Sequence, residues 1–300
     1  MEAAIVTLAV AVSVSAARLR AMERPWWPAP AKLNLFLHVV GRRDDGFHNL
    51  QTIFQLLDWG DELGIRVTDD GRIERPEGPS SIQPQDDLCV RAALALQGAC
   101  RVRQGAQIRL RKRVPVGGGL GGGSSDAATV LRVLNLLWDT GLNLAELATL
   151  GLQLGSDVPI FVHGSSAWAD GRGERLTPLE LPPAWYLIVW PRVQVATAGI
   201  FQAPELTRNS PLVTMRAFSP GQTRNDCEPV VRARFPGVAA ALNWLGPGAR
   251  LSGTGSCAFV AYDSAAAAER VAARVPDEWT SFVARGVNQS PLEAALAIIA

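Results

Sequence analysis

Gly117 to Gly123 is a run of six glycines and one leucine, preceded by Pro115-Val116 and followed by Ser124-Ser125. Glycine inside a helix or strand costs about 0.5–1 kcal/mol relative to alanine, so a packed core does not favour such a run. A backbone that approaches a ligand closely does favour it. If a helix begins just after the run, its free N–H groups and its positive dipole end face the same ligand. The segment therefore predicts an anion site suited to the phosphates of a nucleotide.

The residues after the run support this interpretation. Apolar residues in 127–138 are spaced four, three and four apart, as on the core-facing side of a helix. Ser124 and Ser125 stand where they can cap that helix and present hydroxyl groups to the ligand. The alternative is a flexible linker, but linkers of this composition rarely lead directly into an amphipathic helix.

Other phosphate-binding sequences can be distinguished from this one. A P-loop ends in Gly-Lys-Ser/Thr, whereas here Ser124 follows Gly123 directly. The dinucleotide pattern G-x-G-x-x-G is formally met by Gly117, Gly119 and Gly122. The strand before it carries arginines on one face, which disfavours the buried parallel strand of an NAD-binding oxidoreductase. The sequence contains neither the H-R-D nor the D-F-G motif of protein kinases.

Two polar segments can supply reacting groups. Lys32 and Asn34 alternate with leucines on a predicted strand, so the two polar side chains point to one face. A lysine inside a cleft can hold a hydroxyl or a transferring phosphoryl group by charge, although a solvated strand face fits the spacing equally well. Asp157 lies in the segment GSDVP (155–159), where the sequence alone favours a helix N-cap. The helix dipole would hold such a carboxylate ionised.

Together these segments carry a family resemblance. Residues 115–125 resemble the ATP loop of the GHMP kinases, the family of galactokinase, homoserine kinase, mevalonate kinase and phosphomevalonate kinase. Residues 30–35 (PAKLNL) and 251–256 (LSGTGS) fit the same family. Further segments resemble the members that act on 4-diphosphocytidyl-2-C-methyl-D-erythritol, namely residues 32–37 (KLNLFL), 46–52 (GFHNLQT), 155–159 (GSDVP) and 225–228 (NDCE).

The resemblance implies a two-domain α+β fold with the active site in the cleft between the domains. We expect an extension over residues 1–22, an ATP-binding domain over 23–180 and a C-terminal domain over 181–300. The implied reaction moves the γ-phosphoryl group of ATP to the 2-hydroxyl of the diphosphocytidyl sugar alcohol, with Mg²⁺ accompanying the ATP and no side chain assigned as a metal ligand. Another GHMP-type kinase, of the homoserine or mevalonate type, is the alternative, and a non-catalytic nucleotide sensor is disfavoured by the presence of Lys32 and Asp157.

The resemblance also implies roles for individual residues. The catalytic residues are Lys32 and Asp157. The residues expected to contact ATP are Lys112, Pro115, Val116, Gly117, Gly118, Gly119, Leu120, Gly121, Gly122, Gly123, Ser124 and Ser125. The residues expected to contact the other substrate are Asn34, Phe47, His48, Thr197, Phe201, Gly253 and Thr254.

Several of these residues have plainer interpretations. On the sequence alone, Phe47 and Phe201 are better explained as core, whereas the resemblance implies that they stack on cytosine while His48 hydrogen-bonds its edge. Many family members carry tyrosine at the position of Phe47, so a hydroxyl contact is lost there and the aromatic face is kept. Lys112 fits a solvated strand as well as an ATP contact. Asp126 is interpreted as structural, because a carboxylate would repel phosphate.

The surrounding elements are predicted as mixed helix and strand. Alternation predicts a half-exposed strand over 107–114, directly before the glycine run. Asp69-Asp70-Gly71 predicts the turn of a hairpin. Asp86-Asp87 precedes a predicted helix with one apolar face. That face comprises Leu88, Ala92, Ala95 and Ala99.

Composition narrows the class of protein. The chain has 300 residues, with 29 lysines and arginines against 28 aspartates and glutamates, which argues against nucleic acid or an anionic membrane as its main partner. The four cysteines form no C-x-x-C pair and the three histidines have no zinc spacing, so we expect reduced thiols and a cytoplasmic protein. We predict no obligate protein partner.

The first residues of the chain are mainly apolar. Residues 3–17 are an apolar run, too short to span a membrane, followed by Arg18 and Arg20. The run lacks the basic segment that precedes the apolar part of a signal peptide. An extension with Met22 as the natural start is therefore favoured over an export signal.

Overall fold

The structure is a computed structural model that describes residues 26–80, 82–83, 85–215 and 223–298. The extension predicted over residues 1–22 lies outside these ranges. Within them, no helix is both long enough and apolar enough to cross a bilayer.

The described residues form ten strands and nine helices. The strands are β1 (Trp26–Arg42), β2 (His48–Thr68), β3 (Ile73–Glu77), β4 (Gly105–Arg111), β5 (Ala167–Gly171), β6 (Arg175–Pro178), β7 (Trp185–Trp190), β8 (Arg250–Leu251), β9 (Ala258–Tyr262) and β10 (Thr280–Val287). The helices are α1 (Leu88–Cys100), α2 (Gly122–Leu137), α3 (Leu144–Leu152), α4 (Val158–His163), α5 (Thr197–Phe201), α6 (Glu228–Arg234), α7 (Pro236–Leu245), α8 (Ala265–Ala272) and α9 (Pro291–Ala297).

Strand β2 connects most of the sheet. At 21 residues it is long enough to pair with four other strands along its length, and all four run antiparallel to it. Its partners are β1, β4, β5 and β10. The sheet then continues from β10 through β7 and β9 to β8. The polar residues Lys32 and Asn34 lie in the β1–β2 hairpin, opposite Leu56 and Phe54.

The two largest of four hydrophobic clusters formed by the described residues lie along this sheet. The first packs α1, α2 and α4 against β1, β2 and β4, and the second packs α6, α7 and α8 against β7 and β9. The stripe predicted over 127–138 is confirmed, because its apolar residues are buried in the first core. Helix α9 returns to that core through Leu292 and Leu296. The domain boundary at residue 180 remains a prediction.

The hairpin predicted at Asp69-Asp70-Gly71 is wrong. Strand β3 does not pair with β2 but runs parallel to β4, with Ile73 opposite Ala106, and β4 lies between them. This arrangement requires a glycine at position 105, because a Cβ there would clash with the carbonyl oxygen of Arg72 at 2.2 Å. The turn therefore carries the chain past β4 to the edge of the sheet.

The apolar face predicted for α1 is correct only in part. Its buried residues are Cys89, Val90, Ala92, Ala93 and Leu96, while Ala99 is exposed. The true face is offset by one position, which rotates it by about 100° around the helix. Leu88 is partly buried, packs against the edge of the first core and also lines the cavity described below.

Candidate active site

The glycine run forms a loop that ends at a helix N-terminus. Gly117, Gly119 and Gly121 have φ values of 72°, 76° and 72°, which is the left-handed region that disfavours a side chain. Gly121 is the N-cap of α2, and the first intrahelical bond joins the N–H of Ser125 to its carbonyl at 2.9 Å. The N–H groups of Gly122, Gly123 and Ser124, which come before this first bond, are therefore available to an anion.

The predicted capping role of the two serines is wrong. The helix begins at Gly122, earlier than expected, and its N-cap makes no side-chain hydrogen bond. Ser124 faces the cavity, but Ser125 is fully buried and its hydroxyl has no partner among the described residues. Neighbouring helical residues point about 100° apart, and of the two serines only Ser124 lines the cavity.

A second glycine turn, residues 251–256, is attached to this loop. The N–H groups of Ser256 and Cys257 donate to the carbonyls of Gly117 (3.2 Å) and Gly118 (3.0 Å). The Ser252 hydroxyl donates to the carbonyl of Gly119 at 2.9 Å. Main-chain atoms approach so closely that the two turns form one continuous wall of the cavity.

Lys32 and Asp157 lie together against this wall. The Lys32 ammonium donates to Asn34 Oδ1 (2.5 Å) and to the carbonyl of Gly119 (3.0 Å), and it lies 3.3 Å from Asp157 Oδ2. Lys32 is 3 % exposed, so it is not part of a solvated strand face, while Asp157 is 33 % exposed. Asp157 occupies the N-cap position of α4, but its side chain makes no capping bond and is directed to Lys32 instead.

Lys112 belongs to a buried cluster with two carboxylates. Its Nζ lies 2.6 Å from Asp61 and 2.7 Å from Asp126. Burial, with the charge of Asp61, raises the pKa of Asp126 to about 8 despite the opposing effect of Lys112. Burial alone would lower the pKa of Lys112, but Asp126 and Asp61 raise it overall. Asp61 also accepts the backbone N–H groups of Arg113 (2.5 Å) and Val114 (2.8 Å), so this cluster anchors the start of the glycine loop.

An aromatic group forms another part of the site. Phe47 is 48 % exposed, which excludes the interpretation of this residue as core. The guanidinium of Arg172 lies 4.0 Å from the centre of its ring. The rings of His48 and Phe201 stack with centroids 5.4 Å apart. An exposed aromatic face beside a second aromatic pair suits a flat ligand such as a nucleobase.

Residues from each of these groups line one cavity of about 1090 Å³. It contains every predicted site residue except Ser125. The hydroxyls of Thr197 and Thr254 meet at 3.0 Å on its wall. The cavity volume lies at the upper end of the range of roughly 300–1,000 Å³ that is usual for small-molecule sites.

Comparisons with known proteins identify the family of this chain. Residues 87–165 match the family model for the GHMP kinases N terminal domain, and residues 212–281 match that for GHMP kinases C terminal. The 4-diphosphocytidyl-2-C-methyl-D-erythritol kinase of Halorhodospira halophila is 54% identical over 276 residues, covering 90% of this chain and 96% of that protein. The chain belongs to this kinase family. The family member from Alkalilimnicola ehrlichii is 55% identical over 268 residues, covering 89% of this chain and 92% of its own.

Solved structures confirm the fold of the kinase. A crystal structure of 4-(cytidine 5'-diphospho)-2C-methyl-D-erythritol kinase matches with a TM-score of 0.76 and 32% identity, over 88% of this chain and 100% of the other. The mevalonate kinase of Methanococcus jannaschii shares the fold at a TM-score of 0.65 and 14% identity, over 89% and 100% of the two chains. The predicted two-domain α+β GHMP-kinase fold is therefore confirmed.

Several cavity residues of this kinase were missed by sequence reasoning. Arg42, Arg172 and Arg208 line the cavity, and Asp61 anchors its loop. Arg172 stands between two glycines, which is a weak signal for a functional turn. Arg208 and Asp61 lie in no recognisable motif. Their positions follow only from the folded chain.

Proposed function

We propose that this protein transfers the γ-phosphoryl group of ATP to the 2-hydroxyl of 4-diphosphocytidyl-2-C-methyl-D-erythritol. The main support is the contact between Lys32, Asp157 and Gly119, which brings the reacting pair and the phosphate loop together in one cavity. Membership of a family whose relatives carry this substrate in their names supports the choice of acceptor. A cytoplasmic location, where ATP is available as the donor, is part of this proposal.

The loop from Pro115 to Ser124 is proposed to hold the phosphates of ATP. Free N–H groups at the start of α2 and the bare backbone of the glycines supply the donors. Lys112 lines the same part of the cavity beside Asp126, and its charge compensates for that carboxylate.

The reaction is proposed to take place between Lys32 and Asp157. The acceptor oxygen forms a bond to the γ-phosphorus as the bond to the β–γ bridging oxygen breaks, and ADP leaves with that oxygen. Lys32 stabilises the charge on the transferring group, while Asp157 orients the hydroxyl and accepts its proton late in the transfer. A dissociative transition state needs little early proton removal, so an ionised aspartate is a sufficient acceptor.

Magnesium is proposed to enter with ATP. The available donors fit a hard cation, since Ser124 offers a hydroxyl oxygen and the nucleotide offers phosphate oxygens. The described part of the chain contains no group of three metal-ligating side chains, so the nucleotide is proposed to provide most of the coordination. When bound, the ion neutralises charge on the phosphates.

The ring of Phe47 is proposed to stack on the cytosine. Removing it in Phe47→Ala is expected to raise the KM for the cytidylyl substrate about 5- to 150-fold, since stacking on one base is worth about 1–3 kcal/mol. Phe47→Tyr keeps the aromatic face and is expected to stay within about threefold of the wild type. Steady-state kinetics at saturating ATP measures both. Leu94→Ala, which removes another exposed apolar side chain outside the cavity, is the control. An unchanged KM in Phe47→Ala would argue against stacking.

The acceptor is tested directly with labelled ATP and a set of alcohols. We expect label transfer to 4-diphosphocytidyl-2-C-methyl-D-erythritol and none to mevalonate or homoserine. The same cytidylyl substrate is expected to raise the thermal unfolding temperature of the protein, because it binds only the folded state. Transfer to mevalonate or homoserine in its place would identify another GHMP-type kinase.

A further inference from the structure

Arg208 is held rigidly beside His48 in the cavity. Its guanidinium donates to the carbonyls of Phe201 (2.9 Å), Ala203 (2.7 Å) and Leu206 (3.0 Å), which fix its plane. Its Nε then donates to Nε2 of His48 at 3.1 Å. Arginine has only donor groups and keeps its charge in proteins, so this hydrogen bond has one possible direction.

The direction of that bond determines where His48 carries its proton. In the neutral imidazole one nitrogen is a donor and the other an acceptor. Because Nε2 must accept from Arg208, the proton lies on Nδ1. No hydrogen bond to Nδ1 is made by the described residues, and this atom is not among the fully enclosed polar atoms. The ring lines the cavity, so the Nδ1–H group is available to a ligand.

The surroundings keep the ring neutral and in place. Burial lowers the pKa of His48, and the positive charges of Arg208 and Arg42 lower it further. Protonation of Nε2 would also place two hydrogen-bond donors, the Nε2–H of His48 and the Nε–H of Arg208, facing each other. Stacking on Phe201, with ring planes 26° apart, restricts rotation of the imidazole.

We propose that Arg208 is a positioning residue that locks the Nδ1–H tautomer of His48 and so makes the kinase select cytosine over uracil. This proposal rests on the proposed function. Cytosine presents an unprotonated N3, which can accept from Nδ1–H, whereas uracil carries a hydrogen on N3 and places two donors against each other. A buried donor left without an acceptor reduces binding by about 5- to 150-fold.

The tautomer is tested on the ligand-free protein by long-range ¹H–¹⁵N NMR of the histidine rings. We expect His48 to show a protonated Nδ1 and an unprotonated Nε2, with its signals identified by their loss in His48→Gln. In Arg208→Met, which keeps a long side chain but has no donor, the same ring is expected to lose this preference. A protonated Nε2 in the wild type would overturn the proposal.

Base selection is tested with the cytosine substrate and its uracil counterpart. Arg208→Met is expected to lower the ratio of their kcat/KM values by at least about tenfold, mainly through KM, and Arg208→Lys, which keeps a donor, is expected to restore part of it. Arg234→Met, which removes an arginine that pairs with Glu205 outside the cavity, is the control. An unchanged ratio in a folded Arg208→Met protein would overturn the proposal.

The failure of this proposal and that of the proposed function are distinguishable. If the wild type transfers no phosphoryl group to the cytosine substrate, the proposed function is wrong. Calorimetric titration with CDP and with UDP then still measures base selection, and NMR still measures the tautomer. If transfer occurs but CDP and UDP bind equally, only the role of Arg208 and His48 is wrong.

Discussion

Asp157→Asn is expected to lower kcat by about 10²- to 10⁴-fold, which is the usual contribution of a positioned proton acceptor. The amide keeps the size of the side chain but cannot take the proton from the attacking hydroxyl. Lys32 keeps its contacts to Asn34 and Gly119, so the geometry of the phosphate loop is retained. The affinity for ATP is therefore expected to change less than about threefold. Steady-state kinetics gives kcat, and calorimetric titration gives ATP binding.

The matched control is Asp277→Asn, which makes the same exchange at an exposed position outside the cavity. It is expected to keep wild-type turnover. If Asp157→Asn also kept near-normal turnover, the hydroxyl would lose its proton to another group and the assignment of Asp157 would be wrong. If it lost turnover and ATP binding together, Asp157 would be needed for the shape of the site instead.

Elements specified by neighbouring residues were predictable from the sequence. The stripe over 127–138 identified α2, because helical spacing is a local property of the chain. The alternation at Lys32 and Asn34 placed both side chains on the inner face of β1, as the contact between them shows. The glycine run indicated a close approach of backbone to ligand, and three of its glycines do have left-handed conformations.

Features that depend on distant pairing were not predictable in this way. The turn at Asp69-Asp70-Gly71 has the composition of a hairpin, yet β3 pairs with β4, whose partner residues are 32 or 33 positions further along the chain. Asp61 reaches Lys112 only because β2 and β4 pair in a register that sets Glu62 opposite Arg111. No pattern among neighbouring residues in the sequence specifies that strand register.

The solvent exposure of individual side chains was also not predictable from the sequence. Phenylalanine is most often buried, so residue type alone assigned Phe47 to the core. The structure leaves 48 % of it exposed, directly before β2, where it lines the cavity. The resemblance to a family identified its position, but only the fold shows that its ring is free to contact a ligand. Arg208 had neither kind of signal, since it lies in an irregular segment after α5.

Gly119→Ala is expected to destabilise the protein by about 2–5 kcal/mol, which combines the cost of a left-handed residue with that of overpacking. Gly119 has a φ of 76°, and an added Cβ would lie 2.1 Å from the carbonyl oxygen of Ser252 and 2.9 Å from that of Gly255. These are backbone atoms, so they can move only if the two glycine turns separate. Thermal and urea unfolding measure the stability of the variant.

Separation of the turns would also move the carbonyl that Lys32 contacts, so kcat/KM for ATP is expected to fall at least about tenfold in whatever fraction of Gly119→Ala remains folded. Gly98→Ala in α1 is the control, since nothing lies within 4 Å of its added Cβ. That change is expected to stabilise the helix by about 0.5–1 kcal/mol. If Gly119→Ala were as stable as the wild type and bound ATP normally, the two turns would not be held in contact, and the wall that positions Lys32 would have to be built by other residues.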